Sequence, residues 1–541
     1  MPPIVRDLAT PQLSRFLLWF KRARDRFETA PITRFHSVAA LLVAIVVYAG
    51  VTCALATRHL WHDELYTYYI AKAPTIAQLL RDVSLDLHPP LGYLVTRASL
   101  ALFGDSAFAT RLPFLLAFLI GSLCLYQFLA ERLRPAYGLL GMLVFWATPF
   151  LAYATEARPY ALVLAFFGIA MLAWERAVQP ARSWISVLVL GLAVLAMMLS
   201  HFFSVFYIWP FCVAELWRWY RSRKLDRALW AVLLLPCAVP LLYLSSIHRW
   251  ESAAYPPVQQ ASPFKLATFF YHSLEPEGSV LLLAVCIGIA LAPRMRTNAP
   301  RVTSDGPLTN ATAFAPLDVA FTIGLLTLPV VLDVMLIKTH GVFFPRYAIV
   351  ASLSYGILLA LFVAKQTNKS RTAAVAANCI LLASIAGTTL VSAALNTLRT
   401  WGRTTNAAVT SPPLDQIRPD LPLVAASGLT FFEMDKYESP RTVARLFYLS
   451  DRALALRYAH ATIFEGGFVT LNQHFPIRAK VVPYQQFVAA HPHFLVVGTP
   501  DYAEDWLIPR LLDIHAKLEY LGSFPIPYKD HEIFEATMPG S

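Results

Sequence analysis

The chain has 541 residues, of which 57% are hydrophobic and only 15% charged, where a water-soluble chain carries about 25% charge. Mean hydropathy is +0.52, and several apolar runs reach the roughly 18–20 residues that cross a bilayer, so a soluble enzyme is excluded and a polytopic α-helical membrane protein is predicted. Lys and Arg number 45 against 34 Asp and Glu, an excess that cationic cytoplasmic loops explain without nucleic acid as a partner.

Residues 1–35 are basic, with Arg15, Lys21, Arg22, Arg24, Arg26 and Arg34, and read as a cytoplasmic N-terminal segment. The first apolar run is full length with no small-residue cleavage site behind it, unlike a signal peptide. It predicts a span at 36–57, followed by a long outer loop, 58–105, in which "TIAQLLRDV" and "LGYLVTRASLALF" have helical spacing and read as interfacial helices. Further spans are predicted at 107–130, 136–154, 158–176, 184–200, 203–219, 228–247, 278–293, 316–337, 346–364 and 373–395, about eleven in all. Inner connections hold Arg132 and Arg134, Arg176 and Arg182, then "RWYRSRKLDR", "PRMRTNAPR" and "KQTNKSR". This alternation favours an odd count and an outer C-terminus. In the outer loop at 248–277, "PFKLATFFYHSL" reads as another interfacial helix. The polar stretch 301–315 reads as a disordered inner loop, so its glycosylation pattern at Asn310 is discounted. The six cysteines all lie in apolar runs without CxxC spacing and read as small buried hydrophobes.

Residues 36–397 thus form a transmembrane domain, and 398–541 a small extracytoplasmic α/β domain. In the latter, "LVAASG", "HFLVVGTP", "GSFPIP" and "HEIFEATM" read as strands, and "PRTVARLFYL" and "YAEDWLIPRLLDIHAKLEYL" as helical pieces. It has no Gly-rich phosphate loop and no catalytic serine elbow.

The chemistry-bearing residues gather on the outer connections. Asp63 and Glu64 follow the first span directly, where a carboxylate needs water or a partner. They read as two solvated loop acids or as a general base beside a sugar- or cation-binding neighbour. Asp86 and His88, two apart in an extended pre-proline segment, present both side chains to one side. Together they suit a divalent cation or a proton relay. Glu156, Arg158 and Tyr160 crowd a very short connection in which the Arg158 fork suits phosphate. His201 lies where the fifth span meets the sixth, and Lys338, His340 and Arg346 form a cationic group against the positive-inside trend. Carboxylates at one end and cations at the other suit a hydroxyl nucleophile and a phosphate leaving group.

At these residues the sequence resembles membrane glycosyltransferases of the GT-C fold, close to glycosyltransferase family 39: protein O-mannosyltransferases and the aminoarabinose transferases of lipid A. The resemblance rests on Asp63-Glu64 in "WHDELYTYYIA", on "DLHPPLGYL" (86–94), "LFGDSAFATRLP" (102–113), "EARPYAL" (156–162), "SHFF" (200–203) and "FFPRYAIV" (343–350). It implies a polyprenyl-phosphate sugar as donor and a lipid, glycan or protein as acceptor, within a multi-pass inner (plasma) membrane protein. By it, Asp63 is the catalytic base. Glu64, Asp86, His88 and Glu156 shape the sugar and acceptor region, and Arg158, Tyr160, His201, Lys338, His340 and Arg346 meet the lipid phosphate, Arg346 above all. Asp86 and His88 are the candidates for a divalent cation; some relatives place a metal-binding Glu before Lys-Pro-Pro, where this chain has Leu87 and His88. A polytopic transporter or lipid-linked-sugar flippase is the rival expectation, although no internal repeat is visible.

Overall fold

The computed structural model describes residues 18–19, 22, 25–26, 28, 34–86, 88–244, 260–273, 278–291, 314–410, 414–462, 464, 474–499, 502, 505–526 and 529–540. Leu87 and the inner loop at 301–313 lie outside the described residues.

The first helix, α1 (Arg34–Ala56), is followed at once by α2 (His62–Ala71), α3 (Ile76–Asp82) and α4 (Leu91–Phe103). Then come α5 (Ala107–Arg132), α6 (Pro135–Trp146) and α7 (Tyr160–Ala177). Starts are marked by local chemistry: Ser106 accepts from the Ala109 N–H to cap α5, and Pro135 opens α6 where a missing N–H costs nothing.

Among the described residues, six helices are long and apolar enough to cross a bilayer: α1, α5, α7, Pro316–Lys338, Pro345–Gln366 and Arg371–Thr388. A seventh crossing arises if α6 and Pro149–Thr155, bent by 82°, count as one. The expected spans at 184–200, 228–247 and 278–293 fall on shorter apolar helices, as does α4. The expected span at 203–219 falls on Ser204–Tyr207 and Trp209–Ser222. Prolines do much of the breaking: Pro149 begins the bent segment, and Pro236 and Pro240 hold Leu235–Tyr243 in a 3₁₀ form. Two glycines bring backbones into contact. A methyl group on Gly356 would sit 2.4 Å from the Gly141 carbonyl oxygen, so helix Leu353–Gln366 and α6 cross without side chains between them.

Residues 423–537 carry a six-stranded sheet: β1 (Leu423–Ala425), β2 (Leu446–Ser450), β3 (Lys480–Pro483), β4 (His493–Gly498), β5 (Lys517–Ile526) and β6 (Lys529–Thr537). Its order is β3-β2-β1-β4-β6-β5. The first four strands are parallel, and β6 runs antiparallel to β4 and β5. Two expected helical stretches are each part helix, part strand. Pro440–Ala444 gives way to β2, and Leu507–Asp513 ends at His515, whose φ of 58° turns the chain into β5. Apolar residues three or four apart fit both readings until sheet neighbours are present.

The sheet region docks on the 58–105 segment. His59 stacks on Tyr437 at 4.1 Å between ring centres, and the Leu60 N–H donates to the Tyr437 hydroxyl. Lys436 donates to the Tyr68 hydroxyl, and His474 meets Asp82 at 2.9 Å. Leu65, Tyr69 and Ile70 share one apolar core with Phe431, Phe432, Leu495 and Ile533.

Beneath this contact Glu64 and Arg111 pair with no solvent exposure on either side chain. Arg111 Nε donates to Glu64 Oε1 at 2.7 Å, and its terminal nitrogens donate to the carbonyls of Ala56, Arg58 and His59. The Ala157 N–H donates to Glu64 Oε1 at 2.7 Å. One ion pair therefore ties the end of α1, the start of α2, α5 and the 156–158 turn. Arg111→Met strands a buried carboxylate and is expected to cost about 3–5 kcal/mol, whereas Glu64→Gln with Arg111→Met recovers part of that loss; thermal unfolding of the detergent-purified proteins measures both.

Candidate active site

Asp63 and Glu64 are neighbours on α2, roughly 100° apart around a helix, and face different partners. Glu64 is committed to Arg111, with no exposed surface for a sugar. Asp63 is turned instead toward two cations: Arg158 Nε lies 3.9 Å and an Arg346 terminal nitrogen 4.0 Å from its Oδ2. An Arg158 terminal nitrogen also donates to the Asp63 carbonyl at 3.0 Å.

Arg158 is the hub. It donates to Asp86 Oδ2 at 2.7 Å and approaches His88 Nδ1 at 3.2 Å. Asp86 Oδ2 takes a further bond from the Tyr93 hydroxyl at 2.9 Å, and Asp86 Oδ1 lies 3.3 Å from His88 Nδ1. Depending on its tautomer, the His88 nitrogen serves either the carboxylate or the guanidinium. Burial pushes the Asp86 carboxyl up, but the Arg158 charge and His88 hold it well below the usual carboxylate range. Burial and Arg158 lower His88. Asp86 and His88, the candidates for a divalent cation, both meet the Arg158 guanidinium, at 2.7 and 3.2 Å, so a cation already sits against their donor atoms. Among the described residues no group of three or more His, Cys, Asp or Glu has metal-binding geometry.

The His201 ring stands 4.9 Å from His88 and 5.3 Å from Tyr160. Its Nδ1 accepts from the Phe203 N–H, so Nε2 carries the proton, without a protein partner. Burial, reinforced by His88, Arg158 and Arg346, lowers it well below the ordinary range. Arg346, in the short helix Pro345–Ser352, lies over the rings of Phe344 and Tyr160 at 4.4 and 5.8 Å. The Nε atoms of Arg158 and Arg346 are buried without hydrogen-bond partners.

Seven of the residues singled out in the sequence thus converge: Asp63, Asp86, His88, Arg158, Tyr160, His201 and Arg346. Lys338 and His340 do not join them. Both are exposed at the end of Pro316–Lys338, and no described contact links them to Asp63. Sequence reading missed Tyr93, which holds Asp86, and Arg111, which holds Glu64. Arg111 carried a signal, since a charged residue one turn into an apolar helix must find a buried partner.

Glu156 points to a second space. It helps line a cavity of about 400 Å³ between the end of α1 and the sheet region, with Arg58, Trp61, Glu433 and Asp505. Burial pushes the carboxyls of Glu156, Glu433 and Asp505 up to about 7. A carboxyl raised in the folded state binds its proton more tightly there than in the unfolded chain. Its contribution to stability is full at acidic pH and is lost as pH rises through about 7. Buried His62, His88 and His201, all lowered, act in the opposite sense below about 6.5. Between about pH 6.5 and 8 the melting temperature is therefore expected to fall, and Glu433→Gln with Asp505→Asn to flatten that fall by several degrees; a pH series of thermal unfolding curves reads it.

Residues 87–244 match the family model of dolichyl-phosphate-mannose-protein mannosyltransferases. No curated protein matches the chain significantly. Among solved structures, ArnT from Cupriavidus metallidurans in the apo state superposes with a TM-score of 0.53 at 13% identity, over 92% of this chain and 97% of that one. ArnT from the same organism bound to undecaprenyl phosphate gives 0.49 at 14% identity, over 93% and 98%. The arabinofuranosyltransferase AftD from Mycobacteria gives 0.43 at 12% identity, over 95% and 40%. The matched segment contains His88, Glu156, Arg158, Tyr160 and His201. The family match thus spans the heart of the site, residues 87–244, and the chain shares the ArnT fold over nearly its whole length.

Proposed function

We propose that the chain transfers a sugar, mannose- or aminoarabinose-like, from a polyprenyl phosphate to an acceptor hydroxyl or phosphate at the outer face of the inner membrane. The carrying observation is Asp63 flanked by two guanidiniums, each with an unpartnered buried Nε. Such a carboxylate and two cations supply what the reaction needs. The acceptor oxygen attacks the anomeric carbon and Asp63 takes its proton. The bond from that carbon to the donor phosphate breaks, and the phosphate leaves carrying the added negative charge. Arg346 and Arg158 offset that charge, most effectively where water is excluded. A donor phosphate between the guanidiniums also draws them from Asp63 and frees its oxygens to meet the acceptor hydroxyl.

The lipid donor is supported by the mannosyltransferase family match, whose description names a dolichyl-phosphate sugar. The outer location is supported by the basic inner connections, and the sheet region beside Asp63 makes it the natural face for an acceptor.

Asp63→Asn is expected to lower transfer by about 10²–10⁴-fold while donor binding persists, and Arg346→Gln by about 10²–10³-fold. Lys338→Ala, at an exposed position with no described contact to the cluster, is expected to stay near wild type. Membranes supplied with labelled polyprenyl-phosphate sugars measure all three, and a fully active Asp63→Asn protein refutes the assignment.

A further inference from the structure

The cavity between α1 and the sheet region has no part in the chemistry above, yet it adjoins it. Trp61 lines it two residues before Asp63, and Glu156 lines it two residues before Arg158. The charges of Asp63 and Arg346 both act on Glu156. The cavity therefore lies beside the base, on a side built by the sheet region rather than by the Arg158 hub.

Its walls mix donors and acceptors. Asp505, a lining residue, is almost fully buried; its Oδ1 caps helix Leu507–Asp513 through the N–H groups of Leu507 and Ile508, while its Oδ2 is buried with no hydrogen-bond partner. Gly498 makes room for it, since a methyl group there would meet that oxygen at 2.9 Å. Two further lining residues, Trp61 and Arg58, each carry a buried and unpartnered donor, Nε1 and Nε. Leaving such atoms unmatched is costly, so their placement around one space marks a ligand surface.

The charge balance narrows the ligand. Glu156, Glu433 and Asp505 line it with Arg58 and His531, so acceptor oxygens outnumber cations and little is left to pair with a phosphoryl group. Hydroxyls suit the walls, because each donates to a carboxyl oxygen and accepts from an indole or guanidinium N–H, and an indole face covers the apolar side of a sugar ring. The volume is within the range of small-ligand sites. Resting on the glycosyltransfer reading, we infer that this cavity binds the acceptor, and that the acceptor's head is an uncharged saccharide rather than a phosphorylated group.

The test uses the full chain in detergent and ligand-observed NMR. The probes are mannobiose, arabinobiose and chitobiose, free and as alkyl glycosides, which separates a soluble glycan from a glycolipid head; mannose 1-phosphate is compared with mannose. At least one neutral disaccharide is expected to bind, Asp505→Asn and Trp61→Phe each to weaken it by about tenfold or more, and mannose 1-phosphate to bind more weakly than mannose. Asp63→Asn is expected to leave this binding intact. Glu433→Gln replaces Asp505→Asn if the latter does not fold. The inference is overturned if no neutral probe binds, if the cavity variants bind as wild type, or if the phosphorylated sugar binds more tightly. Saccharide binding without consumption of a polyprenyl-phosphate sugar would refute the transferase reading alone, and donor consumption without saccharide binding would refute the cavity alone.

Discussion

The buried pair of Glu64 and Arg111 is the constraint from which the site's geometry follows. Its value is not net stability, since two apolar residues of like volume would do as well. Its value is direction. Arg111 spends its donors on the carbonyls of Ala56, Arg58 and His59, and Glu64 spends an acceptor on the Ala157 N–H. The loop after α1 and the turn before α7 are thereby fixed to one helix, α5. Asp63 and Arg158 sit one residue away from these anchors and can be placed against each other only because the anchors do not move.

Around that frame the charges are graded. Asp86 is saturated by Arg158, Tyr93 and His88 and acts as a support that aims the guanidinium. Asp63 is held loosely, near 4 Å from both cations, which suits a group that must exchange partners during a reaction. At the far end of the bundle Arg132 is tied to Asp318 and Glu175 at 2.8 and 2.9 Å. That cluster is an anchor of the opposite kind, with both terminal nitrogens of Arg132 held tightly by carboxylates.

Much of this was legible in the sequence, and for a clear reason. Alternating cationic connections assign every second loop to one face, so Asp63, Asp86, Arg158, His201 and Arg346 could be placed on it before any fold was known. What sequence could not supply was orientation. Asp63 read as the base and Glu64 as a neighbour shaping the sugar and acceptor region, and only the helical start at His62 sends one to the cations and the other to Arg111. Lys338 and His340 read as partners of Arg346, yet the chain turns at His340, with φ of 53°, and leaves them outside. Bent and short helices blurred the span count, because composition registers apolarity and not length along a membrane normal. The cavity was invisible, since Trp61 and Asp505 are brought together only by docking of the sheet region.

The helix that leads into Asp63 is itself mostly bare: only 22% of the span in α1 is buried within the protein. Its other surface belongs to lipid, while its last residue, Ala56, is clamped by Arg111. A helix held at one end and bathed in hydrocarbon along its length answers a thicker or thinner bilayer by tilting about the clamp. The loop carrying Asp63 hangs from that pivot, so membrane thickness becomes a mechanical input to the geometry of the base.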